Sequence, residues 1–469
     1  MRYVSTRGGS PALGFADVLL AGLAPDGGLY VPESWPALPP LEELAGLDYP
    51  ELAFRVMWPF VQDEAEGDRG ISREDFRSIV AEAYSVFDHP DVCPVRRLGD
   101  LWLMELFHGP TLAFKDVALQ LVGRLFEHVL EERGGAVTIL GATSGDTGSA
   151  AMAAFAGLSQ AECVILFPDG RTSEIQRRQM TTIEAANCHA VAVGGNFDDC
   201  QDLVKQAFGD SGFREEVSLS AVNSINWGRV MAQVVYYVWA HLAVSPRHEP
   251  VSFCVPTGNF GNVLAGWAAK QMGLPVDRLL VASNRNDILT RTLNSGDMTA
   301  REVVATTSPS MDIQVSSNFE RLLFEVLGRD GSAVESLLAA FRADSGVQLP
   351  AEVVAVLRGD FDAGSLSDEE AASVMDDVHE DQDVLVDPHT AVGLGVALRS
   401  RSGTAPMVCL ATAHPAKFPD AVFEATGVKP VLPEHLAGIL ERAERVEEVP
   451  ADLGAVEGLV RRVLAARTH

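Results

Sequence analysis

The chain has 469 residues, of which 47% are hydrophobic and 7% aromatic, enough apolar material for two or three packed domains. Its 36 basic residues face 65 acidic ones, and the formal net charge of −29 argues against nucleic acid or an anionic membrane as a partner. No apolar run approaches the roughly 20 residues that span a bilayer, and the opening residues lack the pattern of a secretory signal. We therefore expect a cytoplasmic protein.

The first part of the chain, residues 1–95, is rich in proline and glycine. Helix-like patterns occur around 41–58 and 72–87, so a small N-terminal region of helices and turns is predicted.

From about residue 96, apolar runs of strand length alternate with amphipathic stretches of helix length, which is typical of βαβ units around a mostly parallel sheet. The predicted strands are 137–140, 163–167, 190–193, 251–255, 279–282, 383–387 and 407–411. The predicted helices are 116–132, 147–157, 174–186, 198–208, 226–243, 262–272 and 390–399. The interval 284–380 is predicted to be a mostly helical insertion, and helices near 433–446 and 454–466 are predicted to form a C-terminal tail.

The six cysteines are scattered without the short spacings of metal or redox motifs. Several lie in strand-like apolar runs, such as Cys254 in VSFCV and Cys409 in MVCLA. These positions predict buried free thiols and no metal site.

Lys115 lies in the stretch LFHGPTLAFKDVALQ, between apolar residues and at the predicted start of a helix. Burial and the positive end of a helix both disfavour the charged form of a lysine, which suits a Schiff-base lysine. Taken alone, the stretch also fits a surface lysine whose stem covers an apolar face. Three polar or glycine-rich loops downstream, each directly after a predicted strand, favour the reactive role.

The first of these loops is GATSGDTGSAA at 141–151, between a predicted strand and a predicted helix. In open α/β sheets ligands bind beyond the carboxyl ends of the strands, where a helix start exposes its amides. The side chains of Ser144, Asp146 and Thr147 suit a carboxylate or a ring oxygen. An ordinary capped helix is the alternative.

The second loop, VPTGNFGN at 255–262, also joins a strand to a helix. Gly258, Asn259, Gly261 and Asn262 allow several amides to converge on a phosphate. Because the loop lacks the lysine of nucleoside-triphosphate loops and the spacing of a dinucleotide fingerprint, a monophosphate cofactor fits better. A tight turn that merely uses glycine is the alternative.

The third loop, ATAHPAKFPD, places Thr412 at a strand end with His414 and Lys417 nearby. A hydroxyl can hydrogen-bond a pyridine nitrogen without forcing it to carry a proton. The alternative is a proline-rich turn with a surface histidine and lysine.

A further candidate is SINWGR, which opens a long apolar helix. Asn226 and Arg229 lie one helical turn apart on one face, so both could reach an anion. A salt bridge at the helix start is the alternative.

The lysine of HGPTLAFKD, followed in order by SGDTG, GNFGN and TAHPAKF, resembles the fold-type II pyridoxal-phosphate enzymes, and in particular the threonine synthases of the long bacterial and fungal kind. The opening MRYVSTRG with APDGGLYVP is similar to that family's N-terminus, so the resemblance covers most of 1–430. HGPTLAFKD and TAHPAKF are specific to this group, whereas dehydratases and sulfhydrylases share looser forms of SGDTG and GNFGN.

The resemblance implies an α/β fold like that of the tryptophan synthase β subunit, with two open, twisted, mostly parallel α/β domains. The implied domains are an N-terminal region 1–95, a large cofactor-binding domain 96–130 and 240–430 with the helical insertion 284–380, a small domain 131–239, and C-terminal helices 431–469.

The resemblance also implies roles for individual residues, with pyridoxal 5'-phosphate as the cofactor. Lys115 would bond the cofactor covalently, Thr412 would face its pyridine nitrogen, and Asp146 stands beside its phenolic oxygen, where relatives often have asparagine. The residues implied to surround the cofactor phosphate are Gly258, Asn259, Phe260, Gly261 and Asn262. The implied substrate contacts are Ser144, Thr147, Asn226 and Arg229.

The activity implied by the resemblance is conversion of O-phospho-L-homoserine and water into L-threonine and phosphate, by a monomer or homodimer. Three alternatives remain: a serine or threonine dehydratase, a β-replacement synthase, and a catalytically silent protein that keeps the cofactor. A nucleotide-binding module is disfavoured because no lysine follows GNFGN.

Overall fold

The structure, a computed structural model, describes residues 1–62, 70–400 and 404–467. The strands are β1 (Tyr3–Ser5), β2 (Tyr30–Pro32), β3 (Val95–Leu98), β4 (Leu101–Glu105), β5 (Val137–Ala142), β6 (Ala161–Pro168), β7 (Cys188–Gly194), β8 (Leu219–Ser220), β9 (Val251–Pro256), β10 (Val276–Ser283), β11 (Asp297–Thr299), β12 (Gly346–Gln348), β13 (Phe361–Ser365), β14 (Met407–Ala411) and β15 (Glu447–Pro450).

The α-helices are α1 (Phe15–Ala21), α2 (Leu41–Leu44), α3 (Tyr49–Val61), α4 (Arg73–Tyr84), α5 (Lys115–Arg133), α6 (Asp146–Phe155), α7 (Glu174–Thr181), α8 (Phe197–Gly209), α9 (Ser211–Glu216), α10 (Trp227–Val244), α11 (Gly261–Gln271), α12 (Ile288–Ser295), α13 (Phe319–Val326), α14 (Gly331–Asp344), α15 (Ala351–Asp360), α16 (Asp368–Gln382), α17 (Pro388–Ser400), α18 (Pro419–Thr426) and α19 (Leu453–Arg467).

Two sheets organise the fold. The large sheet has the strand order β13-β10-β9-β14-β4-β3, and its pairs are parallel except for the antiparallel pair β3/β4. The small sheet has the order β15-β7-β6-β5-β8 with parallel pairs. The predicted α/β class with mostly parallel strands is therefore confirmed.

The central strands are apolar along their length because helices cover both faces of the sheets. Every residue of β6 (AECVILFP) and β9 (VSFCVP) is buried, as expected for parallel strands covered on both sides. Helix α5 packs against both α6 and α10. Helix α6 directly follows β5 of the small sheet. Its contact with α5 therefore brings the start of α5, and with it Lys115, close to the loop between β5 and α6.

The N-terminal region packs onto the body of the protein through α3 and α10, which are in contact. Tyr3 belongs to the same apolar core as Trp227, and its hydroxyl donates to the carbonyl of Phe60 at 2.8 Å. The helices predicted around 41–58 and 72–87 are present as α2, α3 and α4.

One predicted strand is wrong, whereas 284–380 is mostly helical, as predicted, with α12 to α16 and three short strands. Residues 383–387 form a loop, in which the Asp387 carboxylate accepts hydrogen bonds from the amides of His389 and Thr390 and so caps α17. One edge of the large sheet is β13, which lies within 284–380 and pairs in parallel with β10.

Of the two helices predicted in the C-terminal segment, one is present. The helix predicted at 433–446 is wrong, because the structure has two short 3-10 turns there, Glu434–Leu436 and Ile439–Glu441. Strand β15 follows and pairs with β7 of the small sheet. The helix predicted at 454–466 is confirmed as α19, which packs against α8.

All six cysteines are free and buried, as predicted. Cys254 and Cys409 are neighbours across the pair β9/β14. Within the described ranges, the helices are too short or too polar to cross a lipid bilayer.

Candidate active site

Lys115 is buried and is the first residue of α5. The Phe114 amide donates to the carbonyl of Thr412 at 2.9 Å and ties this helix start to the end of β14. The Lys115 Nζ donates to Asp146 Oδ2 and to Ser310 Oγ, both at 3.0 Å. Burial lowers the pKa of Lys115, although the Asp146 carboxylate acts in the opposite direction.

Asp146 is the first residue of α6, directly after the strand-to-helix turn that follows β5. Its Oδ1 accepts a hydrogen bond from Gln176 Nε2 at 2.9 Å and lies 3.0 Å from Lys417 Nζ. Burial raises the pKa of Asp146, but the ammonium groups of Lys115 and Lys417 and the Gln176 amide hold it well below its usual range. The carboxylate is therefore ionised.

The SGDTG turn is shaped by hydrogen bonds to Thr143. Its Oγ1 accepts from the amides of Gly145 and Gly148, each at 2.9 Å. Ser144 and Thr147, predicted as substrate contacts, are half-buried beside Asp146, so a ligand can reach their hydroxyls.

The GNFGN turn follows β9 and leads into α11. The carbonyl of Gly258 accepts from Ser316 Oγ at 2.8 Å, and the carbonyl of Asn259 accepts from Asn318 Nδ2 at 3.0 Å. Phe260 has a left-handed φ of 61°, which turns the chain into the helix. A helix has no partners of its own for its first amides, so the start of α11 suits an anion.

Glycine is required at position 258 by the close approach of a neighbouring segment. A Cβ added there would lie far inside van der Waals contact of the Ser310 carbonyl oxygen. The same serine therefore contacts Lys115 through its hydroxyl and the GNFGN turn through its backbone.

Asn262 carries an unsatisfied donor at this turn. Its Oδ1 accepts from the hydroxyls of Tyr236 at 2.7 Å and Tyr237 at 2.9 Å. Its buried Nδ2 has no hydrogen-bond partner in the part of the chain that the structure describes. Because a buried unpaired donor is costly, this amide suits a ligand oxygen.

Arg229 and Asn226, predicted together, have different surroundings. The Arg229 Nη1 donates to the Val222 carbonyl at 3.1 Å, whereas its Nε has no partner within the described residues. Burial lowers the pKa of Arg229 to about 10. A buried guanidinium with a spare donor suits an anion.

The side chain of Asn226 is engaged in the fold instead. Its Oδ1 accepts from the Gly228 amide at 3.0 Å and caps α10, and its Nδ2 donates to the Leu19 carbonyl at 2.8 Å. The side-chain oxygen therefore caps α10, and the side-chain nitrogen ties this helix start to α1.

Thr412 is buried directly beyond β14, and the antiparallel bridge between Ala113 and Ala413 places it beside the start of α5. His414 caps the short 3-10 turn Pro415–Lys417 by accepting from the Ala416 amide, and burial lowers its pKa to about 4. This loop is not a surface turn.

Two residues that contact this site were given no role in the prediction from sequence. Lys417 is completely buried and lies against Asp146; its apolar neighbours, Ala416 and Phe418, resemble those of Lys115 and were the available signal. Ser310 comes from 284–380, where no motif marks it, and its backbone amide donates to His389 Nε2 at 3.2 Å.

The arrangement fits pyridoxal phosphate. A buried amine with a lowered pKa can bond an aldehyde, the 258–262 turn and the Asn262 amide offer donors to a phosphate, and Thr412 offers a hydroxyl. Ser310 and the Phe114–Thr412 hydrogen bond bring these three parts of the chain together.

Fold and site together define a pyridoxal-phosphate-dependent enzyme of fold type II, and the family model described as "Pyridoxal-phosphate dependent enzyme" matches residues 92–412. Models for the "Threonine synthase N terminus" and "Threonine synthase, C-terminal" match 2–84 and 390–460. The chain belongs to the threonine synthase family, and pyridoxal phosphate is its cofactor.

Similar proteins match over nearly the whole chain. A threonine synthase of Pseudomonas aeruginosa is 52% identical over 466 residues, which cover 98% of each chain. The crystal structure of pyridoxal-phosphate-bound threonine synthase from Brucella melitensis has a TM-score of 0.95 and 50% identity, covering 99% of both chains. The yeast threonine synthase structure has a TM-score of 0.93 at 37% identity, again covering 99% of both.

Proposed function

We propose that this chain converts O-phospho-L-homoserine and water into L-threonine and phosphate by γ-elimination and β-addition, the last step of threonine biosynthesis. It would thus act as a carbon-oxygen lyase on a phosphate ester. The observation that carries the proposal is the buried Lys115 amine, held 3.0 Å from both Asp146 and Ser310 beside the GNFGN turn.

Lys115 is the proposed general base. When bound, pyridoxal phosphate supplies an electron sink that makes the protons on the α- and β-carbons of an amino acid removable. The amine is suited to take and return these protons, because burial lowers its pKa and so favours its neutral form. Asp146 and Ser310 hold the amine in one orientation through its hydrogen bonds.

We assign the cofactor's phosphate to the turn formed by Gly258, Asn259, Phe260, Gly261 and Asn262. Thr412 would hold the pyridine nitrogen through its hydroxyl, and Asp146 would stand beside the phenolic oxygen. Support comes from the placement of the turn at the start of α11 and of Thr412 beside the start of α5.

We assign the substrate's phosphate to Arg229, Ser144 and Thr147. The buried Arg229 guanidinium has a spare Nε donor, and the two hydroxyls lie at a helix start that favours anions. Asn226 supports this site indirectly, since its carbonyl accepts the Arg229 amide at 3.1 Å and its side chain caps the same helix.

We also propose that the two sheets belong to separate domains and that the substrate binds between them. Asp146 follows β5 of the small sheet, whereas the 258–262 turn and Thr412 follow β9 and β14 of the large sheet. The carboxyl ends of strands from both sheets therefore face one site.

The test is to incubate the purified protein with pyridoxal phosphate and O-phospho-L-homoserine and to measure threonine and phosphate together. We expect equal amounts of both, and Lys115→Ala should abolish turnover and the absorbance band of the lysine-bound cofactor. Lys205→Ala, at a lysine whose side chain is 69% exposed, is the control and should retain both. Ketoacid formation from serine or threonine without phosphate release would point to a dehydratase, and bound cofactor without turnover to a silent protein.

A further inference from the structure

We propose that Lys417 is a positioning residue of this site: its ammonium group holds the Asp146 carboxylate against Lys115 and remains as the carboxylate's ion partner when Lys115 gives up its proton. The inference rests on the proposed role of Lys115 as base. It concerns a residue that the proposed reaction does not otherwise use.

The Lys417 ammonium group makes one ion pair and two hydrogen bonds. Its Nζ lies 3.0 Å from Asp146 Oδ1, donates to the Thr111 carbonyl at 2.6 Å and donates to Gln179 Oε1 at 2.8 Å. The side chain is completely buried. An ammonium is rarely buried unless it is paired and hydrogen-bonded in this way, so its position is tightly defined.

The two oxygens of Asp146 face different partners. Oδ2 accepts from Lys115 Nζ at 3.0 Å and from Ser310 Oγ at 3.3 Å. Oδ1 faces Lys417 Nζ at 3.0 Å and accepts from Gln176 Nε2 at 2.9 Å. The carboxylate is therefore held between two ammonium groups, with one on each oxygen.

This arrangement matters because Lys115 must lose its proton before it can take one from a substrate. Without Lys417, Asp146 would then be a buried carboxylate with no adjacent cation and would itself compete for the proton. With Lys417 in place, the Asp146 carboxylate keeps an ion partner. It then does not compete with Lys115 for the proton that Lys115 exchanges with the substrate.

Charges from other elements also act on this pair. Burial and then the positive charges of Lys417 and Arg229 lower the pKa of Lys115 against the opposing effect of Asp146. The positive charge of His389 lowers the pKa of Asp146. The charge of Lys417 also lowers the pKa of the buried Asp116, against the larger effect of burial. Among these cations, Lys417 is the one in direct contact with the far oxygen of Asp146.

The test compares Lys417→Met with Gln176→Leu in the full chain. Each substitution removes one partner of Asp146 Oδ1, an ammonium group in the first and a neutral amide donor in the second. The pH dependence of the Lys115 amine is measured by trace acetylation with acetic anhydride and mass spectrometry, before cofactor is added. We expect Lys417→Met to raise the labelling midpoint by about one pH unit, because a repelling cation is lost. Gln176→Leu should shift it much less.

Equal shifts in the two variants, no shift, or a lower midpoint in Lys417→Met would overturn the proposal. Lys417→Gln, which keeps a donor of similar length, is the second variant in case the methionine side chain prevents folding. It should shift the midpoint in the same direction. Circular dichroism establishes which variants are folded.

In the cofactor-loaded enzyme, the acid limb of the kcat profile should move to higher pH in Lys417→Met, while KM changes little. A residue that only fills space would lower the melting temperature without moving this limb. The labelling experiment does not depend on the reaction, so absence of threonine synthesis in the unmodified protein would count against the proposed function and not against the role of Lys417.

Discussion

The Arg229 guanidinium is buried close enough to Lys115 for its charge to act on that amine, and one of its donors is unpaired within the described residues. Arg229→Ala should raise KM for O-phospho-L-homoserine by about 100-fold, since a buried charged contact contributes about 3 kcal/mol. The measurement is steady-state kinetics with the bound cofactor followed by absorbance. Cofactor content should stay unchanged, and its loss together with substrate affinity would show that Arg229 serves the cofactor's phosphate instead.

For single residues, the local sequence predicts whether a side chain is buried better than it predicts which residues the side chain contacts. The apolar neighbours of Lys115 correctly indicated burial, and those of Lys417 carried the same signal. The histidine and prolines around Lys417 equally favoured a surface turn, and only the fold shows that Asp146 lies opposite. Ser310 has no local signal, because its contact with Lys115 joins residues 195 positions apart.

Among the elements, the GNFGN turn is closely constrained, because the Ser310 carbonyl lies against Gly258. Gly258→Ala should weaken cofactor binding by about tenfold or more, since the added Cβ forces the turn to move and a displacement of charged contacts costs at least about 1.4 kcal/mol. Absorbance titration with pyridoxal phosphate measures this.

The matched control is Gly359→Ala, in α15, where a Cβ meets nothing within 4 Å. This substitution should leave cofactor affinity unchanged and slightly stabilise the helix, because alanine is the better helix former. Equal affinities in the two variants would show that the turn is not held against Ser310.

The misassigned strand shows which elements sequence cannot resolve. The run at 383–387 has the valines and leucine of a buried strand, but it precedes a proline that begins α17, and Asp387 caps that helix. The true edge strand, β13, reads FDAGS and contains no β-branched residue. Short apolar runs are ambiguous by periodicity, and an edge strand is defined by its partner.

The whole molecule carries a formal net charge of −29, so its acidic groups repel one another in the compact state. We expect the melting temperature to rise by a few degrees between low salt and about 0.5 M NaCl, because ions screen this repulsion. Differential scanning fluorimetry measures the melting temperature.

The double variant Asp377→Asn and Glu380→Gln neutralises two exposed acids on α16, so its melting temperature should respond less to salt. A melting temperature that falls with salt would mean that ion pairs outweigh the repulsion.

At this scale the alternation of strands and helices predicted the α/β class, but the strand order depends on distant pairings. The large sheet joins β4, β9, β10, β13 and β14, which are widely separated along the chain. The periodicity of apolar residues predicts which face of a helix or strand is buried. It does not predict which strand lies next to another in the sheet.

Strand β15 covers the edge of β7 although more than 250 residues lie between the two strands. During translation, β7 leaves the ribosome long before its partner and exposes unpaired backbone amides and carbonyls in the meantime. Such an open edge can pair with another nascent chain. This edge therefore becomes protected from aggregation only when β15 has left the ribosome and paired with β7.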